Sequence, residues 1–454
     1  MSKNSINRRD FLSTVAVAGV GAGTMGVASC ATANEPALIP LRPESEWNLL
    51  ADSLPDKAND GRELKLGLVG CGGQGTGDLL NLLRVADGIK VVALGDMFMD
   101  RINRCRNDLR EAGHEVPDES CFTGFDAYQK VINSDIDMVM LITAPVFRPL
   151  HFRAAVEAGK HIFMEKPLAV DPVGVRSILT SARQANAQNL CVINGTQRHH
   201  QRVYFEGYKK VQSGMIGDIV SGNVYWNQSR LWHRDKDPAW TDMEWMIRDW
   251  VNWNWLSGDH IVEQHIHNID VFNWFSHLKP VSAVGMGARQ RRVTGDQYDM
   301  FSIDYTYENG VHLHSMCRQI DGCTNNVSER IQGTKGVWTS NGLITDLDGN
   351  ELWKFDAEQE REDFEVTDPF ALQFVNWVNR IRSNNPVNQA EETAISTLVA
   401  IMGRIAAYTG VQVTWDEVMA MDMDLLPTEL ELKNMDMTQF AVPVPGRARE
   451  ERNR

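Results

Sequence analysis

"LKLGLVGCGGQGTG", residues 64–77, decides the fold. Its first half, Leu64 to Val69, is a short apolar run of the kind that forms a strand buried on both faces. Its second half spells G-x-G-x-x-G at Gly70, Gly72 and Gly75, with Gly73 and Gln74 between the last two. The stretch "GDLLNLLRVAD" follows with helical spacing. Glycines in such a turn let the backbone approach a dinucleotide's pyrophosphate, and the helix start turns unpaired N–H groups towards it. The motif alone is common. Set between a strand and a helix, it predicts a dinucleotide site.

Working outward, "KVVALGD", "DMVMLITAP", "HIFMEKP" and "LCVINGT" repeat the strand signature, and "LHFRAAVEAGK" and "VGVRSILTSARQAN" supply helical crossovers between them. Strands alternating with amphipathic helices mean a parallel sheet, so residues 63–197 are expected to form a Rossmann domain. Asp96 ends the second strand where a carboxylate accepts from ribose hydroxyls and repels a 2′-phosphate. NAD is therefore expected in preference to NADP.

Beyond residue 200 the pattern changes. "DIVSGNVYWNQ", "VSAVGMGARQ", "DMFSIDYTYENG", "VHLHSMCRQ" and "GVWTSNG" alternate apolar and polar residues and end in turn residues such as Glu308-Asn309-Gly310. Residues 198–430 are read as an α+β domain on a mostly antiparallel open sheet. The fold class is thus α/β followed by α+β. Residues 31–62 read as a linker or wrapping arm, and 431–454 as an extended tail.

The bulk properties agree with two cores. The chain has 454 residues, 43% of them hydrophobic, and a formal charge of −15. No lysine- or arginine-rich block is present, so no nucleic-acid partner is expected. Residues 1–30 look like a targeting segment: Arg8-Arg9 precede Asp10, Phe11 and Leu12, then a Gly/Ala/Val run. That is twin-arginine export chemistry, and it predicts a periplasmic protein with no transmembrane span. "VASC" at Cys30 reads either as a lipoprotein box with Cys30 acylated or as ordinary cleavage among nearby alanines. The six other cysteines are scattered without a CxxC pair, so neither a zinc knuckle nor a disulfide framework is expected.

"FMEKPLAVD" puts Glu165, Lys166 and Pro167 at the carboxyl end of a strand, where open α/β sheets bind ligands. A lysine beside a nicotinamide can hold or pass the proton of a reacting hydroxyl. With the glycine turn, "ITAP" carrying Thr143 and Pro145, and His151, the region from about 63 to 410 resembles the Gfo/Idh/MocA family of glucose–fructose oxidoreductases and inositol dehydrogenases. The resemblance implies a cofactor-binding Rossmann domain, a partner sheet that walls the substrate and often forms an oligomer interface, and a downstream acid–histidine pair acting with the lysine on a sugar or polyol.

That pair falls in "SGDHIVEQHIHNID", residues 257–270, with three histidines and three acids. The family pattern there resembles G-G-x-x-x-D-x-x-x-H-x-x-D. The chain departs from it twice, with Asp259 for the second glycine and Glu263 for the aspartate. Helical phase sets Asp259, His260, Glu263, His267 and Asp270 on one face and apolar residues on the other, with His265 among the latter. His267 is expected to take the proton, with Glu263 and Asp270 as supports. The rival is a metal site of His260, Glu263 and His267, which lacks the HExxH frame.

Seven of the 13 tryptophans lie between residues 226 and 255. Aromatic faces stack on sugar rings, so a carbohydrate platform is expected to include Trp232 and Arg248, the remaining tryptophans being packing or interface residues. "GTQRHHQRVY" adds Arg198, His199 and Tyr204 beside the substrate cleft. The expectation is an exported NAD-dependent oxidoreductase of a carbohydrate or polyol, homo-oligomeric and with cofactor held tightly, because a periplasm offers little free NAD. A redox-neutral NAD-dependent glycoside hydrolase is the alternative. A metal-dependent hydrolase and an NAD-retaining binding protein stand further off.

Overall fold

The computed structural model describes residues 54–446. The expected export segment, Cys30, most of the predicted arm and the last eight residues lie outside the described residues.

The first sheet has strands β1 (Leu64–Val69), β2 (Ile89–Asp96), β3 (Cys121–Thr123), β4 (Met138–Leu141), β5 (His161–Met164) and β6 (Val192–Asn194) in the order β3-β2-β1-β4-β5-β6. All pair in parallel. The order reverses between β1 and β4, and a crevice opens at their carboxyl ends. Helices Gly73–Val85, Met99–Glu111, Arg148–Glu157 and Pro172–Ala187 make the crossovers. Leu66, Leu68, Met138, Met140 and Phe163 fill one face of the sheet and are fully buried.

The second sheet has nine strands: β7 (Ile219–Gln228), β8 (Pro280–Ala288), β9 (Met300–Tyr307), β10 (His312–Gln319), β11 (Asn326–Gly333), β12 (Gly336–Thr339), β13 (Leu343–Asp346), β14 (Glu351–Lys354) and β15 (Val413–Thr414). Their order is β14-β13-β12-β11-β7-β10-β9-β8-β15. Only β7 and β10 pair in parallel, so the sheet is mostly antiparallel. Asn309 and Gly310 take positive φ values of 61° and 74° between β9 and β10, as that turn requires.

Two segments cross between the sheets. Helix Pro369–Arg382 buries Ala371, Phe374, Trp377 and Val378 in the core of the first sheet. Helix Ala390–Thr409 is buried along nearly its whole length, and its Thr397 hydroxyl reaches the Leu168 amide. The chain after 420 is not a loose tail. Leu425, Leu426, Leu432, Met435 and Phe440 pack on Phe98, Phe147, Met243 and Trp253, and the Leu425 amide donates to Asp171 at 2.8 Å. At the other end, the Leu54 carbonyl accepts from Arg202 at 2.6 Å.

The stretch 257–270 departs from the single amphipathic helix that its spacing predicts. It forms two short helices, His260–Glu263 and Ile266–Ser276, broken at Gln264 and His265. Both are buried on all sides, including every residue from Ile266 to Phe275. Helix Ala390–Thr409 and strand β7 flank them, and these supply the apolar surroundings that periodicity cannot reveal.

Candidate active site

The turn after β1 makes an open cradle. A Cβ on Gly75 would sit 1.8 Å from the Gly70 carbonyl oxygen, and one on Gly70 (φ 105°) 2.4 Å from that of Ile142. Gly72 and Gly73 face open space, with nothing within 4 Å of an added Cβ. Helix Gly73–Val85 starts there without a side-chain cap, leaving its first N–H groups for an anion. Gln74 turns away and donates to Asp78 at 2.9 Å. Asp96 is buried and accepts from the Cys71 amide at 2.8 Å and the Phe98 amide at 3.0 Å. Burial raises its pKa, while Arg101, 4.0 Å away, opposes the rise. An open cradle, an uncapped helix start and a carboxylate at the end of β2 fit a dinucleotide.

Thr143 and Pro145 follow β4 on the other side of the switch point. Buried Arg148, which sequence reasoning overlooked, donates to the Thr143 carbonyl at 2.6 Å and the Pro167 carbonyl at 2.9 Å. It thereby ties the ends of β4 and β5 together. His151 lies behind Thr143, its Nδ1 3.2 Å from the hydroxyl, and stacks on Tyr128 at 4.2 Å. Burial pushes its pKa down to about 3, so it is a neutral support for Thr143.

Lys166 projects from the end of β5. Its Nζ donates to the Glu263 carboxylate at 3.0 Å and the Glu263 carbonyl at 2.6 Å. Glu165 lies behind it, pressed against Gly195, where a Cβ would come within 2.3 Å of the carboxyl. Burial raises the pKa of Glu165, and Lys166 and Arg148 pull it back. Asp78 is also buried, and burial and then Glu165 hold its pKa well above the usual carboxylate range.

The supports expected for His267 are engaged elsewhere. Glu263 takes Lys166, and Asp270 takes His199 Nε2 at 2.6 Å and the Ser396 hydroxyl at 2.8 Å. His267 instead stacks on Trp226, ring centres 5.6 Å apart. Burial, then Lys166, Arg198, His199 and His265, hold its pKa well below 6.5, so the ring is neutral.

The three candidate metal ligands face separate partners. The His260 amide and Nδ1 are spent on Asp259 at 2.6 and 3.0 Å, its ring packs against Phe301, and Glu263 is held by Lys166. Among the described residues, no group of three or more His, Cys, Asp or Glu side chains is arranged to hold a metal ion. Asp259, at the family's second glycine, keeps a glycine-like backbone (φ 72°, ψ 160°). Its carboxylate compensates by accepting from Tyr298 N at 3.0 Å and Tyr408 Oη at 2.5 Å.

The expected substrate residues separate. Arg198 pairs with Glu329 beneath the cleft, and Tyr204 Oη donates to the same carboxylate at 2.9 Å, so both are held in a buried cluster. Glu329 was missed, although the alternation that buries Ile331 in β11 places it inward too. Arg248 lies just past the end of β2. It donates to Asp100 at 3.1 and 3.2 Å and lies 3.7 Å over the Phe98 ring, just past β2. Trp232 is 45% exposed and meets Trp250 edge-on at 6.4 Å, leaving a ring face on the rim.

A sequence model described as an oxidoreductase family with NAD-binding Rossmann fold matches residues 64–193, and that of the GFO/IDH/MocA C-terminal domain matches residues 208–339. The chain belongs to the Gfo/Idh/MocA family. Its first domain is thus an NAD-binding Rossmann fold of an oxidoreductase family. A glycosyl hydrolase family 109 protein of Solibacter usitatus is 24% identical over 400 residues, covering 82% of this chain and 81% of its own. An inositol 2-dehydrogenase of Acidothermus cellulolyticus is 26% identical over 240 residues, 52% of this chain and 61% of its own. In fold, the Gfo/Idh/MocA chain is similar to scyllo-inositol dehydrogenase from Lactobacillus casei, whose structure holds NAD(H) and scyllo-inositol. That likeness has a TM-score of 0.59 at 20% identity, covering 78% of this chain and 99% of the other.

Proposed function

We propose that the protein oxidises a hydroxyl-bearing carbon of a carbohydrate or polyol, with NAD held throughout the cycle. The observation that carries this reading is the Lys166–Glu263 pair at the carboxyl end of β5, with neutral His267 in electrostatic reach of the lysine. When bound, the cofactor supplies a hydride acceptor. The protein supplies the proton path. Lys166 Nζ holds the substrate hydroxyl oxygen, Glu263 keeps Nζ in place, and His267, uncharged, accepts the proton as the carbonyl forms. Gly72 and Gly73 leave the pyrophosphate its room, and Asp96 favours a free ribose hydroxyl over a 2′-phosphate. The Arg248–Asp100 contact just past β2 and the packed chain after 420 would help to retain the cofactor there.

The export signal at Arg8-Arg9 argues for a periplasmic protein loaded before translocation, with Cys30 as a lipid anchor where the lipobox is used. Exposed Val281, Val284 and Met286 along β8 support a homo-oligomer.

A second reading is favoured by the Solibacter usitatus relative and by the number of proton carriers in the cleft: the hydride returns to the same sugar after its glycosidic bond breaks. Denaturing the purified protein and identifying the released nucleotide tests the cofactor; NADP or no nucleotide refutes NAD retention. Sugars deuterated at single carbons then locate the hydride step. Absence of deuterium transfer from any sugar or polyol refutes the oxidoreductase reading.

A further inference from the structure

An imidazole base is ordinarily oriented by a carboxylate or carbonyl bound to one of its ring nitrogens. His267 lacks that partner. Among the described residues neither of its ring nitrogens forms a hydrogen bond, and neither is sealed from solvent. Its ring is held by a face instead. Trp226, from β7, lies against it with ring centres 5.6 Å apart and planes 23° from parallel. The indole N–H of Trp226 is buried without a partner among the described residues, so this ring offers its face and not its polar edge. Arg198 lies over the same indole, its guanidinium carbon 5.7 Å from the ring centre, and over Tyr204 at 5.5 Å. Glu329, from the neighbouring strand β11, fixes Arg198 in an ion pair and accepts from Tyr204 Oη at 2.9 Å. It also accepts from the side chain of Asn268, the residue after His267 in the chain. One buried carboxylate thus braces the ring of His267 through Arg198 and Trp226, and its backbone through Asn268. Burial, then Lys166 and Arg198, keep the imidazole neutral.

We propose that Trp226, backed by Arg198 and Glu329, is the positioning residue for His267. It stands in for the carboxylates of Glu263 and Asp270, which are bound to Lys166 and His199. The inference rests on the reading of His267 as the proton acceptor in sugar oxidation. A stack fixes the plane of an imidazole while leaving both nitrogens without a fixed partner. The base therefore meets the substrate hydroxyl with an uncommitted lone pair and no anion beside it to strengthen its hold on the proton. In the oxidation the hydroxyl proton goes to a ring nitrogen of His267 and the C–H hydride to the cofactor. The proton then passes to water, and the positive charges of Lys166 and Arg198 favour its release. The second sheet thereby enters the chemistry through two paired strands, β7 and β11, and is more than a wall of the cleft.

The test incubates nucleotide-loaded protein with perdeuterated D-galactose or myo-inositol and follows deuterium arriving on the bound nucleotide. Trp226→Leu removes the aromatic face, and Trp226→Phe keeps one. Trp226→Leu is expected to slow the transfer at saturating sugar about fiftyfold. Its half-saturating sugar concentration should stay within about twofold of wild type, with nucleotide content unchanged. Its D2O solvent isotope effect should rise, because proton transfer to a loosely held base then limits the rate. Trp226→Phe should recover the rate to within about fivefold of wild type. The ring protons of His267 should resonate upfield in wild type and Trp226→Phe, and move downfield in Trp226→Leu. Should Trp226→Leu fail to fold, Arg198→Lys, which keeps the charge without the planar stack, takes its place with an expected loss of about tenfold. Equal rates in Trp226→Leu and wild type overturn the inference. A slow Trp226→Leu with a raised half-saturating concentration and an unchanged solvent isotope effect also overturns it, since Trp226 then only lines the substrate. So does a Trp226→Phe no faster than Trp226→Leu. The ring shift needs no turnover, and its absence in wild type overturns the inference by itself. A wild type that shows the shift but transfers no deuterium refutes the sugar-oxidising reading instead.

Discussion

Lys166 and Glu263 meet across the domain boundary, Nζ to Oε1 at 3.0 Å and Nζ to the Glu263 carbonyl at 2.6 Å. The lysine comes from the end of the parallel sheet, the glutamate from a four-residue helix whose start is held by strained Asp259. In the proposed mechanism, proton chemistry therefore depends on a contact between residues of both domains. Glu263 offers both its carboxylate and its backbone carbonyl to the same ammonium group.

Glu263→Gln removes the charge and is expected to cost about a hundredfold in kcat, with nucleotide content unchanged. Glu263→Asp shortens the arm by one methylene but keeps the carbonyl, so a loss of about tenfold is expected. Steady-state rates on the oxidised sugar decide it. Equal rates in all three proteins would remove Glu263 from the mechanism.

Replacing Lys166 by Met should reach His267 through space. Burial is the main reason for the low pKa of His267, and the Lys166 charge is the next. With the charge gone, the proton binds more easily. The pKa of His267 rises, though not to 6.5, and protonation sets in at higher pH than in wild type. Histidine ring NMR titrations of wild type and Lys166→Met measure this directly; a shift to lower pH contradicts the geometry.

The two kinds of glycine in the turn should respond differently. Gly75→Ala drives a Cβ into the Gly70 carbonyl and is expected to cost about 3 kcal/mol as well as the cofactor. Gly73→Ala meets nothing within 4 Å, so the protein should unfold at the wild-type temperature yet purify with less nucleotide. Thermal melts and nucleotide release after denaturation separate the two.

Asp171 links helix Pro172–Ala187 to the chain after 420, accepting from the amides of Gly174 at 2.7 Å and Leu425 at 2.8 Å. Burial raises its pKa from 3.8 to about 6. The folded state then holds a proton that the unfolded chain has released between about pH 4 and 6. Stability from this group is complete below pH 4 and declines as pH rises to about 6, by at most about 3 kcal/mol. Asp171→Asn, an acceptor without charge, should flatten that slope. Urea midpoints from pH 4 to 8 test it.

Glu329 anchors Arg198, Tyr204 and Asn268 under the cleft. Glu329→Ala leaves Arg198 charged and unpaired in the interior and is expected to cost about 3–5 kcal/mol. Glu329→Gln should cost less, since the amide still serves Tyr204. Chemical denaturation of both proteins gives the comparison.

The sequence by itself determined the parts that rest on local rules. Strand–glycine–helix order identified the dinucleotide fold, because backbone clearance and buried-strand composition are properties of contiguous residues. Spacing and family resemblance singled out Lys166, Glu263 and His267. Partnership was not. Helical phase gave His267 two carboxylates, but a break at Gln264 and His265 rotates the second helix, so one goes to Lys166 and the other to His199. Arg198 and Tyr204 read as substrate contacts because they follow the last Rossmann strand, and Arg248 because it lies among the tryptophans. Only the tertiary structure turned two of them towards Glu329 and the third towards Asp100. Hydrogen-bond partners are chosen by distance in space, across 97 residues for Lys166–Glu263 and 131 for Arg198–Glu329. No periodicity carries that information.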